Sequence, residues 1–151
     1  MTKHDCKCYC SELTCFWKEG NYTHKLFSVE GLEILSGTTK VEYIYKCCKI
    51  VGVKLTGTFT YNDKTITSEV YYCCNGKYSH KDTLGTKITG DWDKKCCDLV
   101  SYVCGIDKLL GEGKGKGKFV SMKDGDNYKG DLYKKECCDY NLKYRYTLTK
   151  I

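Results

Sequence analysis

The residues with the most chemistry on offer are cysteines, and four times they stand side by side: Cys47-Cys48, Cys73-Cys74, Cys96-Cys97 and Cys137-Cys138. Cys6, Cys8, Cys10 and Cys15 form a fifth cluster near the start, and Cys104 completes a total of 13. Thiols at this density can cross-link, bind soft metals or act as nucleophiles. Cross-linking is the expected chemistry. Neighbouring residues on an extended strand point to opposite faces, so each pair can bond two different partners from one position. A bridge within a pair would pull the Cα atoms closer than disulfides usually allow, so long-range bridges are expected. Cys47, Cys48, Cys73, Cys74, Cys96, Cys97, Cys104, Cys137 and Cys138 are the structural disulfide candidates.

An odd number of cysteines cannot pair completely within one chain, so at least one thiol stays free, binds a ligand or bonds a second chain. The organisation expected is a cysteine-rich arm over 1–20 and a single β-rich domain over 21–151. Cys6, Cys8 and Cys10 alternate, which puts them on one face of an extended arm; with Cys15 they are the candidates for bonding that arm to the body or to a neighbour. A thiolate metal site is the rival reading, with His4 and His24 nearby. Structural zinc sites use spaced Cys-x-x-Cys knuckles, which this chain lacks, so no metal or cofactor is expected.

Catalytic signatures are thin. His4, His24 and His80 are the only histidines, and neither a His-Glu-x-x-His helix nor a Gly-x-Ser-x-Gly elbow occurs. Asp124-Gly125-Asp126-Asn127 does not have the glycine and terminal glutamate of a calcium loop in their required places. The chain is not expected to be an enzyme.

The cysteine density indicates an oxidising, extracellular compartment. The polar start Met1-Thr2-Lys3-His4-Asp5 has no apolar core of a signal peptide, so a leader is expected to be absent from this chain. Asn21-Tyr22-Thr23 is an acceptor sequon, making Asn21 a glycosylation candidate. No stretch approaches the length of a transmembrane helix. Net charge is +6, almost wholly from lysine, with Arg145 the single arginine. An acidic glycan or anionic surface fits that charge; nucleic-acid readers lean on arginine, so nucleic acid is not expected.

These residues need elements to hold them. Ala, Gln and Pro are absent, while Tyr (14) and Gly (15) are abundant and Thr is common. That removes good helix formers and favours strands. The expected class is all-β and mainly antiparallel, with disulfide-stapled hairpins forming a sandwich or irregular β-domain. At most one short helix is expected, near 98–110, where Leu99, Tyr102, Val103, Ile106, Leu109 and Leu110 fit helical spacing between Asp98 and Gly111. Asn62-Asp63-Lys64 reads as a hairpin turn. From Tyr140 to Ile151, Tyr140, Leu142, Tyr144, Tyr146 and Leu148 alternate against Lys143, Arg145 and Thr147, the pattern of a half-buried strand. Gly90–Asp98 and Gly130–Asp139 match closely, each running into a cysteine pair, with one extra residue in the second. Gly111-Glu112-Gly113-Lys114-Gly115-Lys116-Gly117-Lys118 lacks phosphate-loop spacing and reads as a flexible basic loop.

Cysteine pairs followed by a short polar turn, as in Cys73-Cys74-Asn75-Gly76-Lys77-Tyr78, resemble the galaxin-type repeats of extracellular skeletal matrix. The likeness covers only the pairs and one turn. Long Thr-rich strands and the missing prolines depart from it, and no family is assigned on that ground.

The functional expectation is a secreted structural protein, a subunit of a disulfide-stabilised fibre, matrix or coat whose partner is another copy of itself. Excess thiols, the N-terminal arm and strands such as Tyr140–Ile151 that lack edge guards support it. The alternative is a secreted monomeric binding protein, toxin or effector whose basic surface, including 111–118, meets an acidic receptor, glycan or lipid.

Overall fold

A computed structural model describes residues 3–110 and 113–151, with side chains described from Cys10 onward. One helix, α1 (Lys3–Phe16), precedes ten strands: β1 (Gly20–Ser28), β2 (Glu33–Lys46), β3 (Lys49–Tyr61), β4 (Lys64–Cys73), β5 (Lys77–Asp82), β6 (Lys87–Lys95), β7 (Asp98–Asp107), β8 (Gly113–Asp124), β9 (Asn127–Glu136) and β10 (Asp139–Lys150). Each strand pairs antiparallel with its neighbours in sequence, and β1 pairs with β10, so the sheet closes into a barrel. The all-β, antiparallel expectation holds. The sandwich does not.

Closure has a physical basis. Short connections make consecutive strands neighbours. Register shifts at Leu26/Phe27, Ile44/Tyr45 and Leu142/Tyr144 bend the ladder. Mid-strand glycines let it curl, and bulges and glycine kinks are the usual sources of sheet curvature. At Gly130 a Cβ would overlap the Tyr146 ring, which lies across that backbone instead.

The expected helix near 98–110 is instead strand β7 and the loop after it. Leu99, Ser101 and Val103 point inward and are at most 7% exposed, whereas Tyr102 is 43% exposed. Positions 99 and 103 satisfy both a helical and a two-residue period, which is why the spacing was ambiguous. The 113–118 segment, expected as a flexible loop, belongs to β8; Gly111 and Glu112 lie outside the described residues. Gly113, Gly115 and Gly117 line the barrel interior, and Lys118 reaches outward over the Tyr133 and Tyr140 rings, 4.8 Å from each centroid. The alternation along Tyr140–Leu148 breaks at the β10 register shift. Tyr144, Tyr146 and Leu148 face inward, whereas Tyr140 sits outside beside Tyr102.

Successive turns alternate between the two ends of the barrel. The Cys47-Cys48, Cys73-Cys74 and Cys96-Cys97 turns share the end that carries α1; the Cys137-Cys138 turn stands at the other. Thus the two similar Cys-Cys segments point in opposite directions, being an odd number of strands apart.

The described part of the 1–20 arm is not extended: Lys3–Phe16 folds as α1 and closes one end. Cys10, Leu13, Phe16 and Trp17 are buried, spaced so that they fall on one side of the helix. Such a short helix owes its stability mainly to tertiary packing, which the alternating cysteines disguised. Cys10 is disulfide-bonded to Cys74, with a Cα–Cα distance of 4.9 Å. Tyrosines then satisfy the carbonyls at the helix end. Tyr128 donates to Phe16 O at 2.6 Å, Tyr43 to Trp17 O at 2.8 Å and Tyr22 to Lys18 O at 2.8 Å. Tyr128 also accepts from the Lys18 amide at 2.9 Å.

Candidate functional site: the barrel lumen

Above the Trp17 floor the barrel is not filled. A cavity of about 210 Å³ runs toward the opposite mouth. Its walls carry Leu55, Phe59, Val70, Tyr72, Ile88, Val103, Phe119, Tyr146 and Leu148 on alternate strand positions, the arrangement expected of inward-facing residues in a barrel. Gly105, Gly115 and Gly117 contribute no side chain, which leaves the space open on the β7–β8 side. Leu109 and Leu110, in the β7–β8 connection, pack with Ile34, Leu35 and Tyr144 over the mouth. Asp107 Oδ1 fixes that connection by accepting from the amides of Leu109 at 2.9 Å and Leu110 at 3.1 Å. Lys116, Lys134 and Lys143 also line the cavity; Lys143 pairs with Glu136 at 3.3 Å.

Polar groups are few inside. The Tyr146 hydroxyl meets Ser121, and Tyr72, raised to about 12 by burial, is hydrogen-bonded by Ser121 and Ser101. His24, on β1, hydrogen-bonds Thr39 Oγ1 through Nδ1 at 2.8 Å and lies between the Phe59 and Tyr146 rings, with centroids at 4.9 and 5.6 Å. Burial, with a smaller electrostatic contribution from His80, pushes its pKa down to about 4. His80, on β5, is lowered by burial too, against the pull of Asp82 and Asp107. Both imidazoles are therefore neutral near pH 7.

Among the described residues, the cysteines singled out by sequence lie outside this cavity. Cys47, Cys48, Cys96 and Cys97 are exposed at the helix end, Cys137 and Cys138 at the mouth end. Cys104 is exposed on the outer wall and Cys15 on the helix. Cys73 is half-buried, and burial raises its thiol pKa. Cys6 and Cys8 fall on α1, and their side chains lie outside the described residues. Among described cysteines, Cys10 and Cys74 are the bonded pair. Asn21 is exposed on β1. Among the described residues no cluster of three or more His, Cys, Asp or Glu side chains could hold a metal ion.

Sequence reading placed His24 only beside a possible thiolate metal site and counted His80 only among the histidines, assigning neither to an interior. The signal was present: Tyr22, His24 and Leu26 alternate, and so do Tyr78, His80 and Asp82, which sets each histidine on the inner face once the strands are recognised.

Fold and site together define a closed up-and-down antiparallel barrel, plugged at one end by a helix and hollow within. Outward positions carry charged pairs, with Glu69 between Lys54 at 3.1 Å and Lys81 at 3.6 Å; an apolar interior and charged exterior reverse the pattern of a membrane-spanning barrel. No helix among the described residues is long and apolar enough to cross a membrane. Comparison with protein-family models, curated proteins and solved structures finds no match to this chain.

Proposed function

We propose that this protein binds a small, mainly apolar molecule inside the barrel and works as a secreted binding protein. The carrying observation is the lumen. Small barrels are either filled by side chains or hold a ligand, and here inward glycines keep a cavity of about 210 Å³ open above a sealed floor. An engineered apolar cavity of about 150 Å³ already admits benzene. Binding rather than catalysis is proposed because the unpaired thiols among the described residues stand outside the lumen, while the interior presents neutral imidazoles and mutually bonded hydroxyls. The Cys10–Cys74 bridge supports an oxidising compartment.

The two tryptophans make the test specific. Trp17 lines the cavity; Trp92 does not, its indole N–H being given to Cys73 O at 2.7 Å. Titration with small aromatic hydrocarbons should move the NMR signals of Trp17 and leave those of Trp92. Gly115→Phe should abolish the effect, because a Cβ there meets only Lys134 Cε at 3.6 Å, so the ring enters the cavity without backbone strain. Binding that persists in Gly115→Phe would place the ligand elsewhere and end this reading.

A second reading, covalent assembly, is favoured by one observation: exposed cysteine pairs stand at opposite ends of the barrel, so copies can link end to end through Cys47, Cys48, Cys96 or Cys97 and Cys137 or Cys138. Strand-edge pairing is not the route, since β10 is already paired with β1 and β9. A disulfide ladder that disappears in Cys137→Ser/Cys138→Ser supports assembly; a single unlinked species under oxidising conditions removes it.

A further inference from the structure

The lumen's hydroxyls largely bond one another, and Asp107 is held by two amides at the mouth. The imidazoles are different. His24 uses Nδ1 on Thr39, which leaves Nε2 for the cavity it lines. His80 lines the same cavity from β5 with no hydrogen bond to its ring among the described residues, and at the floor the buried Trp17 Nε1 also lacks a partner. Two polar groups in a wall of Phe59, Phe119, Tyr146, Val70 and Ile88 are the usual layout of a pocket that fixes a ligand's orientation with a few placed hydrogen bonds.

Given that the lumen is the binding site, the geometry points to its ligand class: a neutral aromatic molecule of about eight to ten non-hydrogen atoms with one hydrogen-bonding group, such as a phenol, its ring beside Phe59 and Tyr146 and its polar group between His24 and His80. Size follows from the cavity. Neutrality follows from burial: an ion there would lose its hydration among mainly apolar walls, and the carboxylates that act on His80, Asp82 and Asp107, already accept from backbone amides through Oδ1. The charged groups lining the cavity, Asp107, Lys116, Lys134 and Lys143, lie on the mouth-side halves of β7, β8, β9 and β10. Each imidazole, by contrast, can donate or accept according to its tautomer.

Four probes of one shape test this by calorimetry at neutral pH: toluene, p-cresol, p-toluate and p-methylbenzylamine. In the unaltered protein p-cresol should bind at least tenfold tighter than toluene, and both ions more weakly than p-cresol. His24→Leu and His80→Leu, each checked for folding by circular dichroism, should cut the cresol advantage to threefold or less while toluene affinity stays within threefold. Equal affinity for cresol and toluene, tightest binding of an ion, or a cresol advantage that survives in both variants would overturn the assignment. The ratio in the unaltered protein decides even if a variant fails to fold. Should neither toluene nor p-cresol bind, the lumen reading itself fails, a result distinct from equal binding of the two.

Discussion

The two ends of the barrel solve opposite problems. At the helix end everything is closed: Leu13 is fully buried, Trp17 is 1% exposed, and the helix carbonyls are taken by Tyr128, Tyr43 and Tyr22. The Cys10–Cys74 bridge ties the helix to the β4–β5 turn. At the mouth the cover is two half-buried leucines held by one carboxylate. The contrast shows where rigidity and access have been divided. A floor fixed by hydrogen bonds and a disulfide lets the other end stay lightly packed without threatening the fold.

Breaking the floor should have the largest effect. The Cys10–Cys74 bridge spans 64 residues, and constraining a loop of that length in the unfolded chain contributes about 4 kcal/mol. Cys10→Ser/Cys74→Ser should therefore lower stability by up to that amount in denaturant titrations under oxidising conditions. The same variant compared with parent in reductant should show little difference.

Acid should act next, and it acts on the lumen rather than the floor. The folded pKa of His24, about 4, lies below the usual 6.5, so the unfolded chain takes up the proton first. Its contribution is intact above pH 6.5 and is lost as pH falls from 6.5 to 4, by on the order of 3 kcal/mol. His80, lowered in the same direction, adds to the loss. Urea midpoints measured across that range should fall, and His24→Leu should flatten the slope.

Tyr128→Phe should cost about 1–3 kcal/mol, because it strips a partner from the Phe16 carbonyl and the Lys18 amide together. Thermal melts read this directly. If the helix end is the rigid one, Tyr128→Phe should also raise hydrogen exchange at the Trp17 and Lys18 amides while leaving Leu109 and Leu110 unchanged.

The smallest effect concerns the tips. Cys47 and Cys48 both adopt positive φ, 52° and 67°, as do Asn62 and Asp63 at 50° and 61°. Hairpin turns of this kind favour Asn-Gly, and left-handed backbone is unfavourable for most side chains. Cys47→Asn/Cys48→Gly should thus stabilise the fold slightly, by roughly 0.5–1 kcal/mol, visible as a small rise in melting temperature. No gain would mean that these cysteines are held by contacts beyond the turn.

Much of the fold was legible locally. The absence of Ala and Pro, the wealth of Tyr and Thr, and the alternation along β10 specify strands, and Asn62-Asp63 marks its turn. Less could be read where two periods coincide. Leu99 and Val103 fit helix and strand alike; Gly113, Gly115 and Gly117 look like a linker until their neighbours show that alternation is also a strand's. Cys6, Cys8 and Cys10 alternate on a segment that is helical. In each case the local signal was degenerate, and packing against the rest of the chain chose between readings.

The sequence by itself determined an antiparallel β protein, dense in thiols of odd number and basic through lysine. Only the tertiary structure decided that the sheet closes, because closure depends on β1 meeting β10 across nearly the whole chain. It also decided that Cys10 meets Cys74, and that His24 and His80, 56 positions apart, line one cavity. Pairing partners of high sequence separation leave no mark in local composition; they follow from curvature, register and the space that inward glycines leave unfilled.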